Sequence, residues 1–383
     1  MNTLLLAWRY TRFHLRRSCI LVAALAIMIF LPLATRWVTR TFEAKAIARA
    51  QQTPLIIGAK GSRFAVALHA LYFRGESPTA MRYDEFQRVN DLDIATLIPL
   101  HSRFRASGKV IVGTTAEYFK IRQLFVEAGE PMSRLGDCVV GASAAKDLGI
   151  SPSDKLLSES DNAFDLSGAA PLRMRVTGIL QPSGTADDDV VFCELSTAWI
   201  MEGIGHGHAF TNDDSGEHKH SASQRNLSQY QEVTDENIKS FHFHGNRSKN
   251  PITAIIAMTD SEKSTTLLQG KYIDSSQPYQ AIRPVEVIAE LMEVVSRVRG
   301  LFEIGIISLF VAAVLLMSLV MLLSIRLRER ELRTMYLLGC TRMKMLQIVA
   351  TELGLILLVS TCLSILAAWA LSQFAESLMI RLI

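Results

Sequence analysis

Three short stretches place histidines two residues apart: "GHGH" holds His206 and His208, "HKH" holds His218 and His220, and "HFH" holds His242 and His244. These are six of the nine histidines in the sequence. In an extended strand, residues i and i+2 share a face, so each pair can offer two imidazoles to one metal ion. Zn²⁺ takes neutral imidazole nitrogens at tetrahedral geometry, and Cu²⁺ or Ni²⁺ also accept them. Asp213, Asp214 and Glu217 could complete a shell. The window lacks cysteine, which argues against a closed thiolate site. The ligands outnumber the needs of one site, so several labile sites are expected rather than one rigid one. The competing reading is a solvated low-complexity loop with histidine as an ordinary polar residue. A pH-sensing role is a variant of the first, because imidazole titrates near pH 6.5.

Other chemistry is poorly supported. "GASAAK" and "GTTAEYF" do not form a nucleophile elbow, and no buried acid/base set stands out. Asp187–Asp189 reads as a solvated turn. Glu303 and Glu352 read as membrane-edge carboxylates snorkelling to the interface. There is no G-x-x-x-x-G-K-[ST] loop, so the chain itself is not an ATPase. It is expected to be non-catalytic and without an intrinsic cofactor, apart from zinc, copper or nickel at the histidines.

The elements that must position these residues begin with the membrane. Of 383 residues 49 % are hydrophobic, and the net charge is only +3, so nothing points to nucleic acid. The apolar excess sits in three runs without charge, Ser18–Thr35, Ile304–Ile325 and Leu353–Ala375. At about 1.5 Å per residue each can cross about 30 Å of hydrocarbon, the first only just. They predict transmembrane helices over 18–38, 301–325 and 351–375. The first follows Arg9, Arg12, Arg16 and Arg17, but "PLATRWVTRTF" offers no small-x-small cleavage site, so it reads as an uncleaved anchor with Trp37 in the aromatic belt.

The loop 326–350 carries Arg326, Arg328, Arg330, Arg333, Arg342 and Lys344, which places it in the cytoplasm. The N-terminus is then inside, as a cytoplasmic amphipathic helix over 1–17. Residues 39–300 form a large domain outside, and 376–383 form a C-terminal tail. Cys138 and Cys193 fall in that outer domain. They could pair, but spacing alone cannot supply the geometry. Cys19 and Cys362 fall in spans and Cys340 in the inner loop.

Within the outer domain "TPLIIGAKG" and "KVIVGTT" read as strands, and "TAEYFKIRQLFVEAG" as a helix through Phe125 and Val126. "DCVVGASAAKDLG" reads as a strand turning into a helix. "PLRMRVTGILQP" alternates as a half-buried strand does. "DDDVVFCELSTAWIM" reads as a strand followed by a helix, and "PITAIIAMTD" as a further strand. Residues 203–250, rich in Gly, Ser, Asn, Asp, Gln and His, read as a flexible His-rich insertion. The stretch from Pro284 is amphipathic, with Ile288, Leu291, Met292, Val295, Val298 and Phe302 at helical spacing. It runs into the second span without a breaker, as a stalk whose stripe needs a partner helix. The expected fold is therefore an α-helical transmembrane part of three spans plus a large mixed α/β extracytoplasmic domain on helical stalks.

Four stretches, taken together, resemble the permease subunit of the MacB/FtsX/LolC class of ABC transporters. They are "RERELRTMYLLGCTRMKMLQIVATELGLIL", "VGTTAEYFKIRQLFVEAGEPMS" (with Glu130 where the family has a basic residue), "DCVVGASAAKDLGI" and "RMRVTGILQPSGTADDDVVFCELSTAW". The resemblance implies a mechanical device of the bacterial inner membrane with its large domain in the periplasm. A separate cytoplasmic ATPase dimer would dock on the inner loop, through Arg328, Glu329, Arg330, Glu331, Arg333, Arg342 and Lys344, and supply all use of ATP. A second copy or a related permease would pair along the stalk, and a periplasmic adaptor or metal-binding protein is a further expected partner. The family usually has four spans, whereas three are read here. The alternative is a membrane-anchored periplasmic metal-binding or sensing protein with no ATPase partner.

Overall fold

A computed structural model describes residues 3–13, 15–159, 171–206, 230–243, 245–274, 276–327, 334, 337 and 341–382. Helices α1 (Thr3–Phe13) and α2 (Leu15–Gln51) open the chain. There follow β1 (Leu55–Ala59), α3 (Arg63–Tyr72), β2 (Met81–Arg82), α4 (Tyr83–Asn90), β3 (Ala95–Leu100), β4 (Arg105–Ala106) and β5 (Lys109–Thr114). Next come α5 (Ala116–Arg122), β6 (Val126–Gly129), β7 (Asp137–Val140), α6 (Ala142–Leu148), β8 (Lys155–Leu157), β9 (Leu172–Leu180), β10 (Val190–Glu194) and α7 (Leu195–Met201). The rest comprises β11 (Gly205–His206), β12 (Gln231–Glu232), β13 (His242–Phe243), β14 (Pro251–Ile252), β15 (Ala254–Thr259), α8 (Glu262–Gly270), β16 (Tyr279–Ile282), α9 (Pro284–Leu327) and a final helix, Arg342–Leu382. The chain divides into two compact units, Met1–Lys45 with Leu291–Ser377, and Ala46–Glu290 with Leu378–Ile383.

The first unit is helical. Among the described residues, Ser18–Gln51 and Leu346–Leu371 are long and apolar enough to cross a membrane. The run Ile304–Ile325 lies inside α9, where several side chains fall outside the described set. Leu309, Leu315, Leu319, Leu358, Leu366 and Trp369 are exposed. A water-soluble protein rarely leaves so continuous an apolar surface uncovered, whereas a bilayer covers it without cost. Where α2 meets the final helix, the contact is made by small residues. Ser360 Oγ donates to Val22 O at 3.2 Å and Ser364 Oγ to Ala26 O at 2.8 Å, while each also bonds its own helix four residues back. Small hydroxyl residues let two helix backbones approach and satisfy the hydroxyls in apolar surroundings. Glu352 departs from expectation. It is only 2 % exposed, tucked inside this helical unit rather than snorkelling outward.

Among the described residues, the second unit holds two larger sheets and two two-stranded ones, β11–β13 and β14–β2. The first is antiparallel with the order β16–β1–β15–β3. All five residues of β1, "LIIGA", are buried, as expected for an inner strand covered on both faces. The second sheet follows the path β12–β9–β7–β10–β5–β4, with β6 and β8 also pairing with β9. It is mixed: β10 runs parallel to β5 and antiparallel to β7. Strand β9 shows the alternation read from its sequence, with Leu172, Met174, Val176 and Leu180 buried.

Two readings of local structure in the outer domain also need correction. The helix expected through Val126 stops at Arg122. Gln123 turns left-handed at φ 53°, and the amide of Leu124 bonds Phe119 O at 2.9 Å to close the last turn. Val126–Gly129 then becomes a strand on β9; the long-range ladder outweighs a helical spacing that was only local. Part of the insertion 203–250 is also integrated. Strand β12 adds to β9, and Glu232 pairs with Arg173.

Candidate functional site

The last turn of α2 ends in a buried ionic joint. Arg49 Nη1 lies 2.7 Å from Asp187 Oδ2 and Nη2 lies 3.0 Å from Oδ1, a bidentate pair with side chains 7 % and 1 % exposed. Its third nitrogen, Nε, donates to Leu71 O. Tyr118 of α5 donates its hydroxyl to Asp187 Oδ1 at 2.6 Å, and Thr185 Oγ1 donates to Oδ2 at 2.8 Å. Two charges taken out of water are tolerable only when the remaining lone pairs and protons are also satisfied. Here they are.

The electrostatics follow from that packing. Burial pushes the Asp187 carboxyl up, but the Arg49 charge and the hydrogen bonds from Arg49 and Tyr118 outweigh it and bring it down to about 2. Burial likewise disfavours charged Arg49, and Asp187 reverses this, so the guanidinium is held above its ordinary value. A second cation, Arg122, is pulled down by burial and then by the like charge of Arg49; its Nη2 donates to Thr53 Oγ1 at 2.8 Å.

Asp187 belongs to a tight turn, Ala186–Asp189, whose three carboxylates each hold a different part of the domain. Asp188 accepts from Ser183 N, Ser183 Oγ and Gly184 N at 2.7–2.8 Å, fixing the turn's own approach. Asp189 takes Arg74, just beyond α3, and Lys109 of β5, whose ammonium also reaches Asp147 of α6. The solvated turn expected from "DDD" is therefore wrong. Asp187 and Asp188 are both 1 % exposed: Arg49 from a distant element covers Asp187, and the turn's own amides and Ser183 hydroxyl cover Asp188. Gly141 makes the closure possible: a Cβ there would sit 2.4 Å from Asp187 O and 2.5 Å from Asp188 O.

Helix α3 bridges the entry and exit of the two long helices. Its C-terminal end holds α2 through Leu71 O and through Tyr72, whose hydroxyl donates to Ala46 O at 2.9 Å. Its first turn holds the start of α9 through an Arg63–Glu290 ion pair. Val287 and Ile288 bury the same end of α9. Of the stalk stripe, Ile288 and Met292 are covered within the chain, Leu291 is half-buried, and Val295, Val298 and Phe302 are exposed.

A second polar cluster lies where β3 approaches β5. His101 bridges to Gly113, and its Nε2 lies 3.0 Å from Glu202 Oε1, which Arg103 also reaches. His69 Nε2 donates to Ser102 O at 2.9 Å. Burial holds the His69 imidazole below its ordinary pKa. Neither histidine belongs to the His-rich pairs.

Of those pairs, the structure brings two members together. Strand β11 runs antiparallel to β13 with His206 directly opposite His242. The His242 ring donates from Nδ1 to Ser240 O at 3.1 Å. His208, His218, His220 and His244 lie outside the described residues, as do Arg328, Glu329, Arg330, Glu331 and Arg333. Arg342 opens the final helix, and Lys344 is exposed. Among the described residues no group of three or more His, Cys, Asp or Glu side chains could hold a metal ion. Nothing in the sequence reading singles out Arg49 or pairs it with Asp187, so the joint is missed there. Its available signal was a cation in the last turn of a long helix and a carboxylate run just ahead of a buried strand.

The model of the MacB-like periplasmic core domain family matches residues 20–212, just over half of the chain. No curated protein matches. Among solved structures, the periplasmic region of MacB from Actinobacillus actinomycetemcomitans is similar at 12 % identity, with TM-score 0.34, covering 65 % of this chain and 98 % of that one. The extracellular domain of the noncanonic ABC-type transporter YknZ from Gram-positive bacteria is similar at 11 % identity, with TM-score 0.34, covering 60 % and 98 %. With the family match spanning the first long helix, the first strand of the antiparallel sheet, and the acidic turn with its neighbouring strands, the chain belongs to the MacB-like periplasmic core domain family and is an ABC transporter permease of the MacB/FtsX type.

Proposed function

We propose that this permease converts the nucleotide cycle of a separate cytoplasmic ATPase into motion of its periplasmic domain, with the Arg49–Asp187 joint fixing the end of α2 that lies inside that domain. The observation that carries the reading is the joint itself: a bidentate, buried pair at the last turn of α2, on a turn tied to α3, α5, α6 and β5. A helix end held this way moves with the domain or breaks several charge-assisted bonds at once. The ATPase docks on the basic inner loop, residues 326–350, and a second copy pairs along the exposed part of the stalk at Val295, Val298 and Phe302. Three spans place the N-terminus in the cytoplasm and the large domain in the periplasm. Affinity purification of the tagged full chain from membranes tests the scheme. A co-purifying chain with a Walker loop, lost when the basic residues of 326–350 are neutralised, supports it. Isolation of the permease without any ATPase under mild detergent removes it.

A second reading concerns cargo and is favoured by the cross-strand placement of His206 and His242. Directly opposed residues on an antiparallel pair have Cα atoms about 5 Å apart, so one member of the first histidine pair is set opposite one member of the third. We propose that the His-rich stretch captures Zn²⁺, or Cu²⁺ or Ni²⁺, from solution or from a carrier. Calorimetric titration of the full chain with Zn²⁺, compared with a His206→Ala/His242→Ala variant, tests this. Equal heats from the two proteins would dispose of it.

A further inference from the structure

Strands β7 and β10 are antiparallel neighbours in the middle of the second sheet, and their register sets Cys138 directly opposite Cys193. Both thiols have zero exposure and belong to one hydrophobic cluster, with Val140, Val176 and Val191. They therefore lie on the same face of the sheet. Directly opposed residues of an antiparallel ladder have Cα atoms about 4.5–5.5 Å apart. Disulfides form across Cα separations of about 4.4–6.8 Å, so this register meets the geometric requirement without moving either strand far. In the structure both are thiols.

We propose that Cys138 and Cys193 are a redox pair, closed as a cross-strand disulfide when the domain matures on the oxidising side of the membrane. The bond would tie β10, which follows directly from the Asp187 turn, to β7, which leads into Gly141 beneath that turn. It would thus brace the joint from within the sheet. This inference rests on the outside placement of the domain given above.

The chemistry is thiol–disulfide exchange with a protein disulfide of an exported oxidoreductase. One cysteine loses its proton and attacks a sulfur of the oxidant's disulfide, releasing the oxidant's other sulfur as thiolate. The second cysteine, deprotonated in turn, attacks the mixed disulfide and releases the oxidant's remaining sulfur. Two electrons pass to the oxidant, which leaves as a dithiol, and two protons leave the pair. Both thiols are fully buried, and burial holds them above their ordinary pKa in the closed sheet. The exchange must therefore precede the final closure of β7 on β10, and the folded bond then resists reductants.

The test uses the full chain in cells. Membranes are dissolved in denaturant with a first alkylating reagent, then reduced, and newly freed thiols take a second reagent of different mass. The expected result is the second label on Cys138 and Cys193 and the first on Cys19, Cys340 and Cys362. Growth with membrane-permeable dithiothreitol should move Cys138 and Cys193 to the first label. Cys193→Ala should leave Cys138 with the first label. A Lys120→Cys variant, at an exposed position, is probed in parallel with membrane-impermeant maleimide to report the side of the domain independently. First label on Cys138 and Cys193 in untreated cells overturns the pair, and the Lys120→Cys readout shows whether the outside placement falls with it.

Discussion

Arg49 and Asp187 are 138 residues apart in sequence and meet in a bidentate, buried ion pair at 2.7 and 3.0 Å. One closes the last turn of the first long helix; the other sits on the turn ahead of a central strand. Their importance is asymmetric. Removing one partner leaves a charge buried without its counter-ion, which costs about 3–5 kcal/mol, whereas replacing both by apolar residues of similar volume can be nearly neutral. Arg49→Met or Asp187→Leu alone should therefore lower the unfolding midpoint of the purified permease strongly, while the double variant recovers most of the loss. Denaturant unfolding followed by tryptophan fluorescence checks this. If the pair transmits force, the double variant should restore stability but not transport-linked motion.

The same pair sets a dependence on pH. The folded Asp187 carboxyl titrates at about 2, below the ordinary 3.8. A carboxylate whose pKa is depressed by folding adds stability that is fully present above its unfolded pKa. That stability is lost as pH falls from about 4 towards 2. The window lies below physiological pH, so the joint stays ionised in neutral conditions. The magnitude is about 2 kcal/mol for a shift of this size. Unfolding free energies measured at pH 6, 4 and 3 should fall more steeply for the native chain than for Asp187→Asn. Parallel slopes would show that the acid response comes from other groups.

The sequence made some of this legible. Strand β9 announced itself by alternation, and α6 by its Gly start after an apolar run, because those signals are local. The apolar runs pointed to the membrane for the same reason. The joint was hidden because its members come from α2, α3, α5 and the acidic turn. "DDD" carries nothing that says which distant cations will cover it. The end of α5 was missed because Phe125 and Val126 keep helical spacing while pairing with β9 decides their conformation. His206 and His242 looked like members of separate chelating pairs. Their opposition depends on strand register, which spacing does not encode.

Gly141 should be intolerant of even the smallest side chain. A Cβ there meets carbonyl atoms of Asp187 and Asp188 at 2.4 and 2.5 Å, and backbone cannot step aside as a flexible side chain can. Its amide also bonds Val190 O at 2.9 Å, pinning the approach. Gly141→Ala should cost roughly 2–4 kcal/mol and move the acidic turn off Arg49. Besides a lower midpoint, the steep acid response attributed to Asp187 should flatten. A variant with native stability and an unchanged acid profile would show that the turn relaxes without disturbing the pair.

The two long helices should be held by different forces. At α2 the grip is ionic; at the start of α9 it is apolar. Arg63 and Glu290 form an ion pair there, but with side chains 50 % and 46 % exposed, water screens it. Exposed pairs of this kind contribute about 0–1 kcal/mol. Ile288, by contrast, is 1 % exposed and Val287 2 %, and truncating a buried isoleucine to alanine costs about 2–5 kcal/mol. Glu290→Ala should leave the unfolding midpoint nearly unchanged, and raising salt should do little more. Ile288→Ala should lower it well beyond that. The converse outcome, a fragile Glu290 and a tolerant Ile288, would mean that charge anchors both helices and that salt should release the exit of α9 first.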